Sequence, residues 1–147
     1  MLILSLNICG LGGRTKSLSL RALFKSLNPD FILLQETMCS ASPALFAFLK
    51  LLPSWEFCAI SARGLSRGLL SAWNPYKANC RAFQTCAGIL LQASIQGMPD
   101  PLHILKVYGP YQDRDLFWDK ALRGGLLNLP HLVLGGDLNL TLHSSEI

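Results

Sequence analysis

The chain has 147 residues, 50% of them apolar and 15% charged, with a net charge of +4 and a pI near 8.9. This length suits one domain with a core of useful size, and the apolar content excludes intrinsic disorder. The mild basic excess is compatible with a polyanionic partner but does not demonstrate one.

Read in order, Leu2 to Ile8 is predicted as a strand closed by Gly10-Leu11-Gly12-Gly13. Leu20, Leu23, Phe24 and Leu27 fall at i, i+3, i+4 and i+7, the stripe of an amphipathic helix. Thr15 or Ser17 is positioned to cap it, and Asn28-Pro29 to end it. Phe31 to Gln35 is the next strand, giving a β-α-β unit that should be parallel and right-handed. Ser42-Pro43 reads as an N-cap followed by Pro at the first helical position, and that helix runs to about Leu52. From Trp55 to Val107 the chain changes to short strands, predicted over 55–60, 68–73, 80–86, 89–95 and 102–107. Asp113 or Asp115 caps a helix through about Leu122, broken by Gly124-Gly125. A last strand, His131–Leu134, leads into Gly136-Asp137-Leu138-Asn139. Alternating helices and mixed strands predict an α/β sandwich with sheets inside and helices outside.

The five cysteines (Cys9, Cys39, Cys58, Cys80 and Cys86) are scattered, odd in number and without a C-x-x-C pair. Neither a zinc site nor a disulfide framework is expected, nor a disulfide-linked partner. Reduced thiols fit a nuclear or cytoplasmic location. The apolar opening lacks a basic segment before it, and no run of about 18 apolar residues occurs. Neither a secretory signal nor a membrane partner is therefore expected.

The chemistry concentrates at two strand ends. The strand through Leu134 delivers Asp137 and Asn139, placed side by side by two-residue alternation. The strand Phe31–Gln35 ends in Gln35 and Glu36. In α/β sheets ligands bind at such ends. A hard cation such as Mg²⁺ takes one or two carboxylates plus substrate phosphate, a role Glu36 and Asp137 can fill. Asn7 and Asn139 can hydrogen-bond a phosphate oxygen or an attacking water without adding negative charge. Any one of these alone reads as an ordinary strand-end polar residue, whereas four together point to a metal and phosphate site. Lys106, Arg114 and Arg123, with Arg67 at the rim, are candidate phosphate contacts that compete with a reading as solvated surface cations. Trp55, Trp73 and Trp118 read as core packing ahead of base stacking. Gly10-Leu11-Gly12-Gly13 lacks the spacing of a dinucleotide fingerprint.

Five segments, taken in order, resemble one family. They are Leu4–Gly12, Pro29–Thr37, Ser66-Arg67-Gly68-Leu69-Leu70 with Trp73, Val107-Tyr108-Gly109-Pro110, and Leu134–Asn139. The chain resembles the endonuclease/exonuclease/phosphatase superfamily, especially the endonuclease domain of plant LINE-type retrotransposons, over essentially its whole length. The resemblance implies a four-layer α/β sandwich of the DNase I-like type, here incomplete, and phosphodiester hydrolysis with Mg²⁺ (or Mn²⁺), with DNA as partner. Glu36 matches the metal-binding Glu, and Asn7 the Asn near metal and phosphate. Tyr108 matches the Tyr that contacts the scissile phosphate. Asp137 matches the Asp that orients or deprotonates water, and Asn139 the Asn beside it.

Four departures qualify this reading. Leu6 stands where a Trp commonly precedes the first Asn, and Ser66-Arg67-Gly68 replaces a Ser-Gly-Gly turn. Tyr111 stands where some relatives have Asn. The family's closing Ser-Asp-His segment is absent, so the chain reads as C-terminally truncated, and loss of such a His typically removes a rate factor of about 10² to 10⁴. His143 follows Asn139 too closely to replace it, while His131 and His103 read as strand residues. The reading is therefore a DNA endonuclease-type hydrolase impaired by truncation. The alternatives are a non-catalytic remnant or nucleic-acid-binding module, and a phosphoinositide or nucleotide phosphatase.

Overall fold

The computed structural model describes residues 1–11, 13–38, 40–62 and 68–139. In chain order the elements are β1 (Ile3–Asn7), α1 (Arg14–Leu27), β2 (Phe31–Gln35), α2 (Ala41–Leu51), β3 (Glu56–Ile60) and β4 (Leu69–Trp73). They are followed by β5 (Ala78–Gln84), β6 (Gly88–Ile95), β7 (Leu102–Tyr108), α3 (Arg114–Arg123), a 3-10 turn (Leu126–Asn128) and β8 (Leu132–Asp137). The strands form two four-stranded sheets, ordered β1-β2-β4-β3 and β5-β6-β7-β8. Each sheet is mixed, with one parallel pair, β1 with β2 and β7 with β8. The predicted β-α-β unit is therefore present, and the architecture is the expected α/β sandwich.

The sheets stack face to face, with α1 and α2 outside the first and α3 outside the second. β2 shows why its sequence is a continuous apolar run. Phe31 and Leu33 point between the sheets and pack with Ile89, Leu91 and Ile104. Ile32 and Leu34 point the other way, onto Leu20, Phe24 and Phe48 of the helices. A strand buried on both faces has no polar alternation to show. On the second sheet, Leu90, Leu105 and Val107 pack under α3 and the 3-10 turn. The tryptophans serve packing, as expected. Trp73 is buried and donates to Glu56 Oε2 at 2.8 Å, Trp55 packs on the helix-side core, and Trp118 packs from α3 onto the second sheet.

Element boundaries differ where local chemistry is ambiguous. α1 is capped by Gly13 at φ 97°, not by Thr15 or Ser17, which lie inside its first turn. The Ser17 hydroxyl instead donates to the Gly13 carbonyl at 3.0 Å. α2 starts two residues earlier than predicted, behind Ser40, and places Pro43 within its first turn. That position is tolerated because first-turn N–H groups have no partner inside the helix. Asp113 precedes α3 as expected, but in a left-handed conformation and with no side-chain cap bond. β5 ends at Gln84 because Thr85 closes a tight turn, its N–H bonded to the Gly88 carbonyl at 2.8 Å.

β8 is the instructive case. The two glycines were expected to end the strand, yet it continues through both to Asp137. Val107 pairs with Gly136 and Lys106 with Gly135. A Cβ on Gly135 would sit 2.5 Å from Leu33 Cδ1, and one on Gly136 would sit 2.0 Å from the Val107 carbonyl oxygen. The glycines permit close approach of strands and sheets. Gly136 also has φ +129°, which only glycine adopts freely. Gly136→Ala is expected to cost about 3 kcal/mol or more, read as a lowered urea midpoint. An unchanged midpoint would rule out this account of the close approach.

Candidate active site

β1 and β2 run parallel, so their C-terminal ends emerge together, with Asn7 opposite Gln35. The pairing continues past both strands. Ile8 N–H donates to Gln35 O at 3.1 Å, Gly10 N–H to Glu36 O at 2.6 Å and Leu11 N–H to Thr37 O at 3.1 Å. Lys16 of α1 anchors the same loop through Ile8 O at 2.8 Å and Cys9 O at 3.0 Å. This zipper leaves Glu36 at φ 54°, turned out of the strand alternation and 4% exposed.

The second sheet brings Tyr108 and Asp137 to the same end as neighbours across β7 and β8. The Tyr108 hydroxyl reaches across to the first sheet and donates to Glu36 Oε1 at 3.2 Å. Burial, the hydrogen bond with Tyr111 and the Glu36 carboxylate all push the Tyr108 phenol upward. Tyr108 therefore remains a neutral donor through the ordinary pH range. The Cys9 thiol lies 3.6 Å from both Glu36 Oε2 and Asn7 Oδ1, linking the two residues from the other side.

An open cleft of about 550 Å³ lies between these ends, lined by Asn7, Gln35, Arg114, Asp137 and Asn139 among others. Asp137 and Asn139 both face it, though not by strand alternation. The strand stops at Asp137, and Asn139 sits in a turn at φ 48°. Its N–H donates to Asp137 Oδ1 at 3.1 Å, and its side-chain amide donates to the Gly109 carbonyl. That turn fixes one oxygen of Asp137. Arg114, in the first turn of α3, lines the cleft, and its Nε–H is buried with no hydrogen-bond partner among the described residues. An unpaired guanidinium donor at a cleft wall is chemically suited to an anion.

Of the residues singled out from the sequence, Asn7, Asp137, Asn139 and Arg114 line the cleft, while Glu36 and Tyr108 lie behind its wall, bonded to each other and joined to it through Cys9–Asn7 and the Tyr108–Asp137 pairing. Lys106 is placed differently. It is fully buried between the sheets rather than at a surface, and its Nζ has no partner among the described residues. Burial lowers its pKa to about 7 against the opposing pull of Asp137. Lys106 shares the face of β7 that Ile104 turns to the other sheet, and nothing local in the sequence signals this. Arg123 is exposed and pairs with Asp119 at 3.0 Å. Ser66, Arg67 and His143 lie outside the described residues. His103 is buried with its ring against the Pro130 carbonyl at 2.7 Å, and His131 lies 3.6 Å from Asp100, so neither faces the cleft. The contribution of Cys9 was not foreseen, although its place two residues after Asn7 in a loop paired to Glu36 was the available clue.

The donor set can be compared with a metal's needs. Glu36 and Asn7, linked through the Cys9 thiol, offer oxygen atoms, and among the described residues no group of three or more His, Cys, Asp and Glu side chains gathers. Such a sparse, all-oxygen set does not suit zinc. It fits a hard divalent cation that retains water and takes the rest of its shell from substrate phosphate.

The sequence pattern of the Endonuclease/Exonuclease/phosphatase family matches residues 4–147. No curated protein matches the chain by sequence. Solved structures share its fold. An AP endonuclease from Archaeoglobus fulgidus superposes with a TM-score of 0.71 at 16% identity, over 98% of this chain and 60% of that one. The 3' phosphatase NExo from Neisseria, bound to a product DNA hairpin, gives 0.69 at 15% identity, over 97% and 59%. D. rerio TDP2 complexed with a single-strand DNA product gives 0.66 at 19% identity, over 95% and 60%. The chain therefore spans about three fifths of the length of these structures.

Proposed function

The chain belongs to the endonuclease/exonuclease/phosphatase family, and from that premise we propose that its cleft hydrolyses phosphodiester bonds in DNA with the help of a divalent cation. The observation that carries this reading is the convergence of both sheets on one polar cleft, beside which Tyr108 of one sheet is bonded to Glu36 of the other. The DNA held by the similar NExo and TDP2 structures supports the choice of polymer. The order of the five sequence segments supports a finer proposal, that the domain is of the plant LINE-type retrotransposon class, and its free cysteines go with action in the nucleus or cytoplasm.

The residues divide the work. Glu36 and Asn7 would hold Mg²⁺ or Mn²⁺. When bound, the cation neutralises charge that grows on the phosphate during in-line attack. Asp137, with one oxygen fixed by Asn139, turns its other oxygen to a water and accepts its proton. Tyr108, neutral and already a donor, can shift its hydrogen bond from Glu36 to a phosphate oxygen. Arg114 offers an unpaired donor to the same phosphate. Asn139 holds the Gly109 carbonyl and thereby the loop that carries Tyr108.

Nicking of supercoiled plasmid tests this reading. Purified protein is expected to nick with Mg²⁺, to stop with chelator, and to lose nicking in Glu36→Ala. Nicking unaffected by chelator and by Glu36→Ala would overturn it.

One observation favours a second reading. Among the described residues no histidine faces the cleft, so a binding module without turnover remains a coherent alternative. Salt-sensitive DNA binding by a folded sample that never nicks would select it. Turnover confined to inositol phosphates or nucleotides would instead select a phosphatase.

A further inference from the structure

A second cavity, about 570 Å³, lies beside the catalytic cleft and has the opposite character. Its walls come from the β5–β6 turn, the loop after β7, and α3. They are mainly apolar and aromatic, with Tyr108, Tyr111, Leu116 and Phe117 among them. Its volume falls within the range of about 300–1,000 Å³ typical of small-ligand sites. Leu116 is 68% exposed and Tyr111 58%, although both are large apolar side chains. Exposed apolar groups gathered around a hollow mark a binding surface more often than isolated ones do. Phe117 is held edge-on against Trp118, with centroids 5.2 Å apart, which gives that wall a fixed face.

The two cavities share a partition. Tyr108 lines the apolar cavity, its backbone pairs with Asp137, and its hydroxyl bonds Glu36. The first turn of α3 contributes Arg114 to the polar cleft and Leu116 to the apolar cavity. A ligand with an anionic group and an attached flat, weakly polar ring would fill both at once. Lys120 supplies a cation to the apolar cavity, and Asp113 a hydrogen-bond acceptor. That pattern, anion then ring then anion, is the repeat of a polynucleotide.

We propose that this cavity is a nucleobase subsite. It takes the base of the nucleotide next to the phosphate in the cleft, stacked on Tyr111, with the following phosphate near Lys120. The proposal rests on the reading of the cleft as a phosphodiester site, and it adds where the adjoining base is held. Aromatic stacking is tolerant of base identity, so the subsite would select nucleic acid over small phosphoesters without selecting sequence.

Two exposed thiols report the two sites separately. Cys9 lies against Glu36 and the cleft-lining Asn7, and Cys86 lines the apolar cavity. Alkylation rates at each, mapped by mass spectrometry in chelator, can be compared for a single-stranded oligonucleotide and for one of equal length whose sugars lack bases. The oligonucleotide is expected to slow both thiols, and the baseless one Cys9 alone. Tyr111→Ala is expected to weaken protection of Cys86 about tenfold while Cys9 stays protected. Protection of Cys9 with Cys86 unaffected would overturn the subsite and leave the cleft reading standing. Equal protection of Cys86 by the baseless strand would also overturn it, since phosphate rather than base would then occupy the cavity. Protection of neither thiol would overturn both readings.

Discussion

Asp137→Asn is expected to lower kcat for plasmid nicking by about 10²- to 10³-fold at saturating Mg²⁺. The concentration of Mg²⁺ giving half-maximal rate should scarcely change. Asparagine keeps the shape and can still accept the Asn139 N–H that Asp137 Oδ1 takes at 3.1 Å. What it lacks is a carboxylate to take a proton from water. Glu36→Gln is expected to do the reverse, raising the Mg²⁺ requirement by more than tenfold. Glu36 is almost wholly buried and holds its place through Tyr108 and Cys9. Replacing its charge therefore weakens a cation site while leaving the water-facing wall intact. Equal effects of the two substitutions on kcat and on Mg²⁺ requirement would refute this division of labour.

The legible part of the fold was the part whose burial is one- or two-sided in a simple way. β2 was readable to the residue because it is apolar on both faces, and α1 because Leu20 and Phe24 repeat at helical spacing. The site was legible for a related reason. Asn7, Glu36, Tyr108, Asp137 and Asn139 follow strands or lie at their ends, and strand ends of one polarity gather on one side of a sandwich. Two kinds of feature were not legible. Glycines at 135 and 136 signal a turn in one dimension, and only the neighbouring sheet reveals that they make room for Leu33 and the Val107 carbonyl. A lysine in a strand reads as surface, and only the second sheet shows that the position of Lys106 faces inward. Both misreadings came from long-range packing, which local periodicity does not carry.

Lys106 leads to the largest expected change in stability. Its side chain is fully buried and its Nζ is unpartnered among the described residues. Across the sheet its partner is Gly135, which offers no side chain at all. The one charged group that bears on it is Asp137 on β8, which opposes the loss of its proton. Burial brings the amine from 10.5 to about 7. Between those values the unfolded chain binds a proton that the folded chain does not, so stability should rise with pH. Linkage puts the gain from pH 7 to pH 9 at ~2 kcal/mol. Above pH 9 the trend should reverse, because burial raises the Cys58 thiol and raises Cys80 to about 12, so the unfolded chain alone ionises there. Lys106→Met keeps the length and volume of the side chain and removes the amine. It should stabilise the protein at pH 7 by ~3 kcal/mol and abolish the rise between pH 7 and 9, both read from urea unfolding. A destabilised variant, or one with the same pH slope, would mean that Lys106 is charged and paired in the folded protein. Its ammonium would then lie beside Asp137, and the cleft would have a cation behind its floor rather than a neutral amine.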